Sequence, residues 1–154
     1  MSVVGAAMIP VLAGCATKPV AIAPVGPRPA SAQALGGTGF LKVYSDTETH
    51  EIGRNTFFYP HKPYGIYSES GKCLRFVVNH IGDMDESPTC VPLPAGRYVI
   101  VAESAAYGRV RVPVVIQGDL ITSVHLDRDG TFLAHAPAQE LVHLPDGEIV
   151  GWHS

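Results

Sequence analysis

The stretch VPLPAGRYVIVAESAAYGRVRVPVVIQGDLITSVHLD, residues 91–127, decides the fold. Apolar side chains recur at every second position between short breaks, which is the period of a strand with one buried face. Three strands follow. Arg97 to Ser104 places Tyr98, Ile100 and Ala102 on one side; Arg109 to Gln117 does the same with Val110, Val112, Val114 and Ile116; Leu120 to Asp127 repeats it with Leu120, Thr122, Val124 and Leu126. Gly108 and Gly118-Asp119 mark the reversals. Pro113 lacks an N–H and falls opposite the apolar set, so its strand belongs at or near a sheet edge, or is bulged there.

Outward from this stretch the same pattern continues. Tyr64 to Glu69 and Lys72 to Asn79 flank Ser70-Gly71, a spacer suited to a tight hairpin. In the second strand Leu74, Phe76 and Val78 share one face, and Cys73, Arg75, Val77 and Asn79 the other. Phe40 to Ser45 is a further strand, and a run around Glu51 to Tyr59 is broken by Gly53 and Asn55. Near the C-terminus a short helix could begin at Pro137 to Leu141, but Glu140 to Leu144 and Glu148 to His153 flank Pro145-Asp146-Gly147 as a hairpin. That hairpin would put Val142, Leu144, Val150 and Trp152 on one face, with Trp152 clasping the chain end against the sheet. With 16 Gly and 13 Pro among 154 residues and 46% hydrophobic side chains, the chain is expected to be all-β. The architecture expected is a small antiparallel β-sandwich of about seven or eight strands with a C-terminal hairpin. A formal charge of −3 provides no basic excess to neutralise phosphates, which excludes nucleic acid as an expected partner.

The N-terminal region reads differently. Residues 1–14 carry no charge and ten apolar side chains, too short a stretch to cross about 30 Å of hydrocarbon as a helix but fitting the apolar part of a secretory signal. Leu12-Ala13-Gly14-Cys15 resembles the lipobox of bacterial lipoproteins. That resemblance implies cleavage before Cys15, a diacylglyceryl group on its sulfur and an acylated α-amino group. With Ala16 rather than Asp next in sequence, it implies an outer-membrane destination facing the periplasm. Residues 15–39 are rich in Ala, Pro and Gly, without an aromatic side chain, and are expected to form a disordered tether. Prolines at 19, 24, 27 and 29 favour about 3.1 Å of extension per residue, which would hold the folded part, residues 40–154, several nanometres from the bilayer.

Within the stretch first quoted, Leu93, Pro94, Gly96, Tyr98, Tyr107, Gly108, Val112, Val114, Gly118, Val124 and Leu126 resemble the pattern of the bacterial PEGA and carboxypeptidase-regulatory-like domains. The resemblance spans about 34 of the 154 residues and implies a prealbumin-like sandwich with a structural or binding role.

Candidate chemistry is sparse. Cys73 and Cys90 are an even pair in a domain expected to fold outside the reducing cytosol, where a disulfide between them is expected and two free thiols are the alternative. Seven histidines (His50, His61, His80, His125, His135, His143 and His153) are scattered singly, without the i, i+4 or paired spacing that metal sites use. The acidic groups Asp83, Asp85 and Glu86, and Asp127 with Asp129, lack an ordered calcium-ligand series and read as solvated turns. No Gly-x-Ser-x-Gly elbow is present, and Gly36-Gly37-Thr38-Gly39 leads into a strand, not a phosphate-binding helix. No catalytic residue, metal or cofactor is therefore expected. Phe57, Phe58, Tyr59, Tyr64 and Tyr67 fall within eleven positions. They either fill the sandwich or form a ligand-binding face with Tyr64 and Tyr67 as contacts. The expectation is a non-enzymatic, lipid-anchored envelope protein that contacts another protein or an envelope polymer. A carbohydrate- or small-ligand-binding module using the aromatic loop 57–67 is the second reading, and an envelope hydrolase the third.

Overall fold

The computed structural model describes residues 21, 23–28, 36–128, 140–145 and 147–152. Eleven strands and no helix are present among them: β1 (Thr38–Tyr44), β2 (His50–Glu51), β3 (Phe57–Phe58), β4 (Tyr64–Ser68), β5 (Cys73–Val77), β6 (Val91–Pro94), β7 (Gly96–Ser104), β8 (Gly108–Ile116), β9 (Ile121–His125), β10 (Leu141–His143) and β11 (Ile149–Trp152). The main sheet is antiparallel in the order β5-β4-β7-β8, and a second sheet has the order β6-β1-β9. β2-β3 and β10-β11 are separate two-stranded ribbons.

Alternation builds the core between the two sheets. Ile66, Ile100, Val110, Val112 and Val114 face inward from the main sheet, and Leu41, Val43, Val91 and Val124 meet them from the second. Each such side chain contributes about 1.5–3 kcal/mol on burial, so the aliphatic period read from residues 91–127 accounts for much of the cohesion. Val142, Leu144 and Val150 of the C-terminal ribbon join the same core. Trp152 stacks on His125, with ring centroids 5.8 Å apart, and so does hold the chain end against β9. It does not share a face with Val142, because Leu141 is its cross-strand partner while Val142 opposes Gly151.

Three features depart from the sequence expectations. First, the sandwich is not wholly antiparallel: β1 and β9 pair in parallel, Phe40 with Ile121 through Tyr44 with His125. Gly118-Asp119 is therefore a crossing from one sheet to the other, not a hairpin within one. Gly39 makes this crossing compact, since a Cβ there would lie 2.1 Å from the Gln117 carbonyl oxygen. Second, β6 is a strand in its own right. Pro92 and Pro94 obscure it in the sequence, but a proline is tolerated where its nitrogen faces outward from an edge strand, and β6 is such an edge.

Third, the segment expected to be a free tether is partly docked. Ala21 and Val25 are buried, the Ala21 N–H donates to the Arg111 carbonyl at 3.0 Å, and the Val25 N–H donates to the Pro113 carbonyl at 2.9 Å. The Val115 N–H in turn donates to Val25, which forms a parallel bridge with Val114. Composition suggested that so few large side chains could bury nothing; one valine and one alanine suffice because they complete a core supplied by others. Residues 1–20, 22 and 29–35, Cys15 included, lie outside the described residues, as does the alternative helix start at 137–139.

Candidate binding surface

β8 and β5 are the two margins of the main sheet, and they are finished differently. Along β8, residues 111, 113 and 115 turn their backbone groups outward, toward Ala21 and Val25. The missing N–H of Pro113 thus points to the margin and leaves the β7–β8 ladder whole. Among the described residues β5 has no such cover. Phe76 is 68% exposed, and Leu74 and Val78 are about half exposed. The face of β5 that turns inward is the other one, where Val77 and Asn79 are buried. Leu74 is the extra residue of a bulge, since Arg75 pairs with Ile66 and Cys73 with Tyr67.

Beside Phe76 the outer face of the main sheet forms a cleft of about 140 Å³ lined by Pro63, Tyr67, Phe76, Val101, Glu103 and Arg109, among others. Gly65 shapes it. The residue lies between Phe76 on β5 and Val101 on β7, and with no side chain it lets the Tyr67 ring fold back over it. A Cβ at Gly65 would lie 2.6 Å from that ring. At one end Arg109 Nε donates to Glu103 at 3.0 Å, so the single carboxylate in the cleft is already paired. The cleft mixes ring, aliphatic and charged groups and is smaller than the 300–1,000 Å³ typical of small-molecule sites.

The aromatic loop divides between core and surface. Phe57 and Tyr59 are exposed and Tyr67 is half-buried, but Tyr64 is only 1% exposed and packs in the core. The paired contact role expected for Tyr64 and Tyr67 is therefore corrected: Tyr67 alone presents its ring to the outer face. The Tyr64 hydroxyl has no hydrogen-bond partner among the described residues, and burial pushes its pKa well above the usual tyrosine range.

Cys73 and Cys90 are both exposed free thiols, which corrects the disulfide expectation. Thr89 bonds to Val78 and Asn79, so Cys90 sits beside the far end of β5 from Cys73. Five extended residues at about 3.3 Å each separate the two places, beyond the roughly 7 Å Cα separation that a bridge tolerates.

The histidines serve several structural purposes. His61 is buried and its Nδ1 donates to the Ser45 carbonyl at 2.6 Å. His125 lies between Tyr44, stacked at 4.4 Å, and Trp152. His143 bonds to Gly147, and His80 to Gly82. His50 stands between Glu48 and Asp83, at 3.3 and 3.4 Å. His135, His153 and Asp129 lie outside the described residues. Among the described residues no group of three or more His, Cys, Asp or Glu side chains could hold a metal ion. The acidic loop is a hydrogen-bonded turn: Asp85 accepts from the Ile81 and Ser87 amides, and Glu86 from the Tyr59 amide at 2.8 Å.

Sequence reasoning missed the docking of residues 21 and 23–26 and the cleft built on Gly65. The first had a faint signal in the isolated Val25 amid small residues. The second had none, because a glycine beside a ring across the β4 pleat is not a motif. No protein family, no curated protein and no solved structure matches the chain.

Proposed function

We propose that this chain is a membrane-anchored lipoprotein of the bacterial envelope whose β-sandwich acts by surface contact, without chemistry of its own, on an extended segment of another envelope protein. The anchor rests on the lipobox resemblance at Leu12 to Cys15. The observation that carries the contact is the margin of β5, which no described strand covers, with Leu74, Phe76 and Val78 turned to solvent. An apolar strand without a neighbour is a template for strand addition, in which main-chain bonds give affinity and alternate side chains give selectivity. Arg75 narrows the choice of partner. Antiparallel pairing with a second copy about the strand's centre would set Arg75 against Arg75, and like charges directly opposite are unfavourable. A strand with an acidic residue at that position fits better.

A photocrosslinker at Leu74 in native cells, followed by mass spectrometry, tests this reading. A defined protein adduct that disappears in Phe76→Lys is expected; the same adducts with and without that change would overturn it. Because Phe76 is exposed, the substitution should alter stability by no more than about 0.5 kcal/mol.

The cleft over Gly65 favours a second reading, in which the module binds a carbohydrate or other small ligand through Tyr67 and Phe76. In that case Tyr67→Ala abolishes pull-down of envelope polymer while the folded fraction is unchanged. Retained binding would count against it.

A further inference from the structure

We infer that one end of the sandwich, formed by the β7–β8 turn, the loop 78–90 and the β2–β3 ribbon, rests on the headgroup layer of a lipid bilayer. This inference builds on the proposed anchor at Cys15, and two independent observations carry it.

The first is chain length and direction. Ala21 is pinned to Arg111 and Val25 to Pro113, so the segment runs parallel to β8 and enters at the end where β8 begins. That end holds the β7–β8 turn. Cys15 precedes Ala21 by six residues, and six residues span at most about 20 Å. A lipid on Cys15 therefore holds this end of the domain close to the membrane, in contrast to the several nanometres that an undocked tether of residues 15–39 would allow.

The second observation is what that end exposes. β5 runs antiparallel to β4, and β4 to β7, so the Val77 end of β5 lies at the Ser104 end of β7. The loop that follows β5 carries Ile81, 91% exposed, and Met84, also exposed. The β2–β3 ribbon adds Phe57 and Tyr59, and is joined to the loop by the Tyr59–Glu86 and His50–Asp83 contacts. Tyr107 projects from the β7–β8 turn itself. Uncovered aliphatic and aromatic side chains on loop tips at one end suit the boundary between headgroups and acyl chains, where rings with one polar edge are favoured. The opposite end exposes fewer such side chains, Phe40, Leu120 and Ile121, beside the polar Ser70-Gly71 turn.

The test uses the full chain, lipidated in cells, with Cys73 and Cys90 replaced by Ser. It is reconstituted into vesicles carrying a nitroxide on the phospholipid headgroup. A fluorophore is placed in turn at Ile81→Cys, Tyr107→Cys and Ser70→Cys. Loss of most of the emission at 81 and 107, with none at 70, is the expected result. Equal quenching at all three, or none at 81 and 107, would overturn the inference while leaving the anchor intact. Mass spectrometry of the N-terminal peptide reports separately on Cys15: an unmodified cysteine would overturn the anchor and the inference together. A photocrosslinker at Ile81 that captures protein in cells would assign this end to a partner, again against the bilayer.

Discussion

Asn79 shows how one polar side chain can tie two sheets together. Fully buried at the end of β5, it donates through Nδ2 to the Val43 carbonyl at 2.6 Å and to Ser45 Oγ at 3.1 Å, and its Oδ1 accepts from the Thr89 amide. Asn79→Ala removes all three side-chain bonds from a dry interior, and a loss of about 3 kcal/mol is expected from the urea midpoint. The Tyr64 hydroxyl poses the opposite case, since it is buried with no partner among the described residues. Tyr64→Phe should leave stability at neutral pH unchanged or raise it by about 1 kcal/mol. Burial raises the pKa of Tyr64 in the folded state, so the folded chain holds this proton more tightly than the unfolded chain does. The associated stability is present below the unfolded value near 10 and is lost as pH rises above it. Denaturant midpoints across that range should fall less steeply in Tyr64→Phe. Tyr98 is also pushed upward by burial, so part of the fall remains in the variant. Neither role was legible from the sequence: Asn79 reads as an alternating strand residue, and an aromatic loop reads alike whether its rings point in or out.

At the scale of elements, Pro113 was readable and its consequence is sharper than an edge assignment. Its nitrogen faces the docked segment, so Pro113→Val restores a donor only at the margin of β8. Amide exchange of β7 should be unaltered by that change, whereas slowed exchange along β7 would mean that the ladder had been incomplete. The strands of residues 91–127 were legible because alternation and burial coincide there, Val110, Val112, Val114 and Ile116 being buried in turn. β6 was not, because Pro92 and Pro94 carry the local signal of a break while tertiary position permits a strand. The apolar trio on β5 was legible as a face, but its direction was set by Val77 and Asn79, whose packing against the rest of the fold outweighs the larger side chains on the other side.

For the molecule as a whole, the all-β class and the two-layer plan follow from period and punctuation, while the pairing of β1 with β9 depends on contacts that no local pattern encodes. Phe40 meets Ile121, 81 positions further along the chain. The antiparallel run from β4 through β8, interrupted only by β6, forms from nearer neighbours. Closing a long loop costs entropy before any contact repays it, so topologies of this kind fold slowly. A chain emerging from its N-terminus exposes β1 long before β9 exists to receive it. Leu41 and Val43 then wait, uncovered, for the last third of the sequence. The same parallel pair that locks the finished sandwich leaves its first strand without its β9 neighbour until late in synthesis, and this interval is when the chain most needs shelter from its neighbours.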